Sequence, residues 1–268
     1  MNRDFSLIDA NFARVREGLR VIEDICRFIL RNREHFERLK TLRHELDRVE
    51  AAFGWGRIVR GRHGEDIGEQ AVVASEYDRA SLTAIIRANS ARAAQALRAL
   101  EEFTKLYALT ESRVIEDMRY RVYAIELRLL METPHYWLHL YLTEGIVYPL
   151  ASEVDEVLWL AAHGSRMIQL RDKASPKAEI YRKAKYLSSF FEKRREDHPE
   201  RQPPLLIIND YADIAASVPV AGVHLGQADG DPKKVRSMIG SNKIIGVSTH
   251  SVEDARAAER SGADYIGV

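Results

Sequence analysis

The run LLIIND at residues 205–210 is apolar, too short for a core helix, and ends on an amide and a carboxylate. That pattern predicts a buried parallel strand with its polar pair at the carboxyl end. Five more runs of similar shape lie at 138–143, 167–173, 222–227, 244–250 and 265–268, the last where the sequence stops. Segments of helical spacing separate them, at 154–163, 177–193, 211–217, 232–239 and 252–261. Strand and helix alternating in this way make consecutive βα units on a parallel sheet. Such crossovers are almost always right-handed, so the sheet curls, and about eight units would close a barrel where this half supplies six strands. Ligands of parallel α/β proteins sit at the carboxyl ends of the strands, so function is sought there.

The first half has a different period. Apolar residues from Leu7 to Ile29 recur at spacings of three and four, predicting a helix over 5–30 that starts at Ser6 with Asp9 three residues on. Further helices are expected over 34–53, stopped by Gly54-Trp55-Gly56, then 81–109 and 112–131, with Pro134 closing the half. The fold class is therefore all-α plus α/β, with a helical domain over 1–133 and an α/β domain over 137–268.

The helical half repeats itself. Asn11-x-Ala13-Arg14-x4-Leu19-Arg20-x2-Glu23-Asp24 returns as Asn89-x-Ala91-Arg92-x4-Leu97-Arg98-x2-Glu101-Glu102, and Arg43 and Glu50 are echoed by Arg119 and Glu126. Two similar helical hairpins imply a pseudo-symmetric four-helix unit. Its repeated arginines have two readings: a shared anion groove, or ion pairs with Glu23 and Glu101. Between the hairpins, Arg57, Arg60, Arg62 and His63 stand among glycines before Asp66, either wrapping a phosphate or forming a solvated connection.

Composition narrows the classes of function. The formal net charge is zero, without the basic excess of a nucleic-acid or membrane-surface binder, and 46% hydrophobic with 30% charged residues suits a globular chain. No apolar run approaches 20 residues and the start, MNRDFSLIDANF, is no signal peptide, so a cytoplasmic address is expected. The single cysteine, Cys26, excludes an internal disulfide and reads as a buried structural thiol. Oligomeric state is left open, including a homo-oligomer.

Chemistry is concentrated at the strand ends. Gln169, Arg171 and Lys173 follow one another at i, i+2 and i+4, which a strand places on one face as a polyanion clamp. Asp210 and Asp229 end or follow the next two runs, and two carboxylates facing such a clamp suit Mg²⁺ completed by water and phosphate. Either one alone also serves as a helix cap, Asp229 standing before Pro232. Asn209 alternates away from Asp210 and reaches the site only where the strand turns into its loop. Ser248-Thr249-His250 closes the fifth run: hydroxyl donors, a general base in His250, or a helix cap from Thr249 or Ser251. His224, inside an apolar strand, reads as a satisfied core histidine.

Together QLRDK (169–173), IND (208–210), GVHLGQxD (222–229), GVSTH (246–250) and GADYIGV (262–268) resemble the thiamine-phosphate synthase family across the whole second half. The first half resembles the helical extension that precedes the synthase domain in some bacterial members. The resemblance implies a TIM barrel that joins hydroxymethylpyrimidine diphosphate to thiazole phosphate and releases pyrophosphate. By position, Gln169, Arg171, Lys173, Asn209 and Ser248 would bind the pyrimidine diphosphate, with Arg171, Lys173 and Ser248 as the catalytic contacts, and Asp210 and Asp229 would hold Mg²⁺. The family continues through further strands whose loops hold the thiazole phosphate, so this polypeptide alone is expected to be inactive. Two alternatives stand beside it: a thiazole tautomerase using a histidine such as His250, and a non-catalytic binding or regulatory protein worked by the helical repeat.

Overall fold

Helical spacing in the first half becomes four long helices in the computed structural model, which describes residues 3–52, 81–198 and 201–268. Contacts divide the chain into two units, Met1–Glu132 and Thr133–Val268.

In the first unit α1 (Arg3–Asp24) runs into a π-helical turn (Ile25–Ile29) and is followed by α2 (Arg33–Ala52), α3 (Leu82–Thr104) and α4 (Leu109–Met131). The stripe Phe12, Val15, Leu19 and Ile22 is buried, as are Leu39, Leu42 and Leu46 of α2 and Ile86, Leu97 and Leu100 of α3, and α1 packs on both helices. Ser6 lies inside α1, which begins three residues earlier than its sequence signal, so that signal is not the start. Ser81 does cap α3, its hydroxyl accepting from the Ala84 N–H at 3.1 Å. A Cβ on Gly18 would stand 2.8 Å from the Asn89 carbonyl oxygen and 3.2 Å from the Ala93 Cβ, so glycine lets α1 and α3 meet closely.

The repeat shows itself as a pair of matching ion-pair clusters. Buried Glu23 takes Arg43 at 3.0 Å and Arg20 at 3.5 Å; buried Glu101 takes Arg119 at 3.0 Å and Arg98 at 2.5 Å. Buried carboxylates are tolerable only when paired in this way. Arg20 and Arg98 thus follow the ion-pair reading. The stretch 54–77, with its arginine loop and the Gly54-Trp55-Gly56 stop, lies outside the described residues.

Cys26 sits in the π-helical turn with no exposed surface, and burial pushes its thiol up to about 12. A thiolate is the reactive form, so native protein at pH 8 is expected to leave this cysteine unmodified by dithionitrobenzoate until denaturant is added. Stoichiometric labelling of the folded chain would show that the helical unit opens locally.

The second unit begins with a correction. Residues 138–143 form no strand; they lie inside α5 (Pro134–Glu144). Pro134 takes the first helical position, Gly145 at φ 75° follows the last, and Leu138 and Tyr141 bury at a spacing of three. The first strand is instead β1 (Leu150–Ala151), two residues long and preceded by Pro149, too short to show a period. Then come α6 (Val154–Ala162), β2 (Met167–Leu170), α7 (Lys177–Asp197), β3 (Leu205–Asn209), α8 (Ala212–Ser217), β4 (Gly222–Leu225), α9 (Pro232–Ile239), β5 (Ile244–Ser248), α10 (Val252–Arg260) and β6 (Tyr265–Gly267).

The sheet of the described residues is parallel throughout, in the order β1-β2-β3-β4-β5-β6. Alternation splits its residues cleanly. Ile168, Leu170, Leu206, Ile208, Val223, Leu225, Ile245 and Val247 join the core against the helices. Met167, Leu205, Ile207 and Ile244 point the other way and meet Leu138 and Tyr141. The misread segment is therefore an apolar plug at the amino end of the inner face. Tyr148, just before β1, reaches Tyr265 of β6 with 2.9 Å between hydroxyl oxygens. Contact between the two ends of the strand order requires a strongly curled sheet.

Candidate functional site

The inner face carries polar groups from its middle to its carboxyl end. Gln169 of β2 is opposite Ile207 of β3, so Asn209, two residues on, shares the inner face with Gln169. Asn209 is itself the register partner of His224. The expected geometry is thus reversed: Asn209 lies on the inner face by simple alternation, and Asp210 needs the special backbone. Asp210 adopts φ 63°, a left-handed conformation uncommon outside glycine and easiest for asparagine and aspartate. Its N–H still donates to the His224 carbonyl at 2.8 Å, holding the turned residue to the neighbouring strand.

The clamp is likewise only partly a strand. β2 ends at Leu170, the Arg171 N–H continues the ladder to the Ala151 carbonyl at 2.7 Å, and Lys173 stands in the loop beyond. What fixes that loop is Asp172, a residue the spacing argument passed over. Buried Asp172 accepts from Lys183 Nζ of α7 at 2.7 Å and from the N–H groups of Ala174 and Ser175 at 3.0 and 2.9 Å. The Lys183 ammonium, then Ser175, hold its carboxyl well below the usual range. With Asp172 turned inward to α7, Arg171 and Lys173 project into solvent on either side.

Lys173 pairs with Asp210. Arg171 makes no ion pair within the described residues. Burial lowers the His224 imidazole, Asp210 opposes the fall and Arg171 adds to it. Asp229 stands close to Asp210. Burial raises the Asp229 carboxyl and Asp210 adds to the rise, against the Gly226 N–H, which donates to Asp229 Oδ2 at 2.7 Å, and against Lys173. Capping of α9 falls to Asp231, whose side chain accepts from the Lys233 N–H, so Asp229 is free of that role. Four charged groups from the ends of β2, β3 and β4 are therefore brought together: Arg171, Lys173, Asp210 and Asp229.

Deeper on the inner face a chain of hydrogen bonds runs through five side chains. Gln169 Nε2 donates to the Tyr148 hydroxyl at 3.0 Å, Tyr148 and Tyr265 share 2.9 Å, the Tyr265 hydroxyl is 3.0 Å from His224 Nδ1, and His224 Nε2 is 2.9 Å from Ser248 Oγ. His224 is satisfied as expected, but its partners tie it to the candidate substrate contacts Gln169 and Ser248. Burial pushes Tyr148 up to about 12 and pushes Tyr265 further, so with the lowered His224 the whole chain is neutral near pH 7. Gly246 makes room for it, since a Cβ there would fall 2.1 Å from the Tyr265 ring. Neither tyrosine was singled out by sequence. Tyr148 has no periodic signal, whereas Tyr265 could have been found by counting two back from Gly267.

His250 is exposed, and its N–H donates to Asp254 at 3.2 Å. Ser251 caps α10, while Thr249 is buried with its hydroxyl on the Gly267 carbonyl. Of the three residues ending the fifth run, Ser248 alone faces the site. Among the described residues no cluster of three or more His, Cys, Asp or Glu has a metal-holding arrangement, and no helix is long and apolar enough to cross a membrane.

Comparison with known proteins covers both units. The family model for thiamine monophosphate synthase matches residues 143–268, and that of the ThiD2 family matches residues 6–128. The thiamine-phosphate synthase of Nostoc punctiforme is 36% identical over 98% of this chain and 72% of its own length. That of Rhodopirellula baltica is 37% identical over 97% of this chain and 70% of its own length. Among solved structures, thiamine phosphate pyrophosphorylase from Pyrococcus furiosus is 34% identical with a TM-score of 0.38, the match covering 45% of this chain and 57% of that one.

Proposed function

The chain belongs to the thiamine-phosphate synthase family, and from that premise we propose that its second unit, a TIM-type barrel built as far as the sixth strand, joins hydroxymethylpyrimidine diphosphate to thiazole phosphate. The bond from the pyrimidine methylene to the diphosphate oxygen breaks and its electron pair leaves with pyrophosphate. The thiazole nitrogen supplies the pair for the new bond to that carbon. No protein nucleophile is required. What the reaction needs is stabilisation of the charge that grows on the leaving diphosphate.

The observation that carries this reading is the Arg171 guanidinium, without an ion pair among the described residues, at the strand end next to those that bring Lys173, Asp210 and Asp229 together. Arg171 forks two phosphate oxygens, and Lys173 adds a compact charge once it turns from Asp210. Gln169, Asn209 and Ser248 hold the pyrimidine from the inner face. The two adjacent carboxylates fit Mg²⁺: they are an all-oxygen pair, and the burial that raises Asp229, with Asp210 adding to it, is what a divalent cation relieves. When bound, Mg²⁺ would supply positive charge to the diphosphate from Asp210 and Asp229. The tautomerase reading loses support, because His250 is exposed rather than aimed along the inner face.

Calorimetric titration of the 268-residue chain with hydroxymethylpyrimidine diphosphate is the test, with and without Mg²⁺. Binding is expected to strengthen at least tenfold with the metal, and Asp210→Asn is expected to remove most of that gain. Equal binding with and without Mg²⁺ would overturn the assignment of the carboxylates.

A further inference from the structure

Helix α4 is apolar on two opposite faces. Ile115, Met118, Val122, Ile125 and Leu129 recur at spacings of three and four and are buried in the helical unit. Half a turn round the helix, positions 109, 113, 116, 120, 123, 127 and 131 keep the same spacings, and five of them are apolar: Leu109, Tyr120, Tyr123, Leu127 and Met131. All five are exposed, Tyr120 at 57% and Leu127 at 53%. A surface helix needs one apolar stripe to hold it to its own core; a second, at heptad spacing, is the pattern of a helix that packs against another.

The internal repeat does not require this second stripe. Counting from Arg119 and its counterpart Arg43, the places of Tyr120, Tyr123 and Leu127 are held in α2 by His44, Asp47 and Ala51. Asp47 is already paired with Arg16 at 3.2 Å. The outer face of α2 is thus polar where that of α4 is apolar, so the stripe belongs to the second hairpin and not to the four-helix architecture.

The two tyrosines are also held in place. Arg119, anchored at 3.0 Å on buried Glu101, lies 4.7 Å from the centre of the Tyr120 ring and 5.9 Å from that of Tyr123, and the two rings meet edge to face at 6.4 Å. Exposed aromatic rings fixed in advance lose little freedom when a partner covers them, and tyrosine is among the residues that carry most of the energy of interfaces.

Charge selects the partner. Glu116 and Arg128 lie on the outward side of α4 without an ion pair among the described residues, one before and one after the tyrosines. A second copy of α4 laid antiparallel, with the two-fold axis between Tyr120 and Tyr123, sets Tyr120 of each chain against Tyr123 of the other. The same placement brings Glu116 beside Arg128 at both ends. A parallel pair would instead set Glu116 on Glu116 and Arg128 on Arg128. The face is therefore self-complementary in the sense that a closed two-fold dimer requires.

We propose that the outer face of α4 is where two copies of this chain associate, as an antiparallel helix pair centred on Tyr120 and Tyr123 and closed at each end by Glu116 and Arg128. The proposal rests on the helical unit alone and is independent of the reaction assigned to the second unit.

Sedimentation of the intact chain from about 1 to about 100 micromolar tests it, with a dimer expected to form in that range. Tyr120→Glu/Leu127→Glu puts carboxylates into the centre of the pair and is expected to raise the dissociation constant about 100-fold or more. Glu116→Arg and Arg128→Glu, each turning two attractions into repulsions, are expected to weaken association about tenfold apiece. Combining them reverses both charges and is expected to restore the dimer. The inference is overturned if the unaltered chain stays monomeric throughout the range, if the double-glutamate variant associates as the unaltered chain does, or if the combined charge variant is as weak as the single ones. The substituted residues face away from the buried stripe of α4, and circular dichroism checks that the helices persist. The charge variants remove no apolar contact, so they decide the matter even if the double-glutamate variant misfolds.

Discussion

Arg171→Ala is expected to raise the dissociation constant for hydroxymethylpyrimidine diphosphate about 100-fold, a loss of about 2.8 kcal/mol. Arg171 is exposed at the end of β2 and has no ion pair among the described residues to give up, so its guanidinium can be committed wholly to the ligand. Lys173 differs. It already holds Asp210, and part of what it gains from phosphate is offset by that partner. Lys173→Ala is therefore expected to weaken binding less than Arg171→Ala does, and the same titration compares them. If Arg171→Ala bound the diphosphate as tightly as the unaltered chain, the clamp would have to be sought elsewhere.

The largest expected effect on stability comes from a residue between those two. Asp172→Ala removes the carboxylate that holds buried Lys183 and two loop N–H groups, leaving Lys183 with Glu153 and the Ser152 carbonyl. Breaking a buried pair from one side costs about 3–5 kcal/mol. Urea unfolding should show a lower midpoint with little change in slope. The pH dependence has a definite sign. Asp172 has a depressed folded-state value, so its contribution is full above the unfolded carboxylate value of about 4 and is lost as pH falls below it. The gap between Asp172→Asn and the unaltered chain should be constant near neutrality and close in acid. A gap independent of pH down to pH 2 would show that the pair contributes nothing through its charge.

The place of Arg171 at the end of β2 was legible because a period of two next to apolar residues is a local signal, and the same holds for β3 to β6 and the helices between them. Asp172 was not, since its partner Lys183 lies on α7 and only the folded crossover joins them. Residues 138–143 were misread because a short apolar stretch satisfies strand and helix alike; Pro134 and Gly145, at its flanks, were the deciding evidence. For Asn209 and Asp210 the strand end was legible and the face was not, because alternation presumes an extended backbone and Asp210 leaves it. The repeat identified equivalent arginines, but not that Arg20 and Arg98 would end on buried glutamates that Arg43 and Arg119 of the following helix also reach.

The chain of five side chains from Gln169 to Ser248 has one more consequence. Its middle members, two hydroxyls and an imidazole, can each donate or accept, and none carries charge near neutral pH. His224 can therefore take either tautomer with the chain neutral, while Gln169 Nε2 goes on donating to Tyr148. In one sense of the chain Ser248 receives a hydrogen bond from His224 and has its own hydrogen to offer; in the other it spends that hydrogen on His224 and offers a lone pair. A chain built this way has a reversible hydrogen-bond polarity at Ser248.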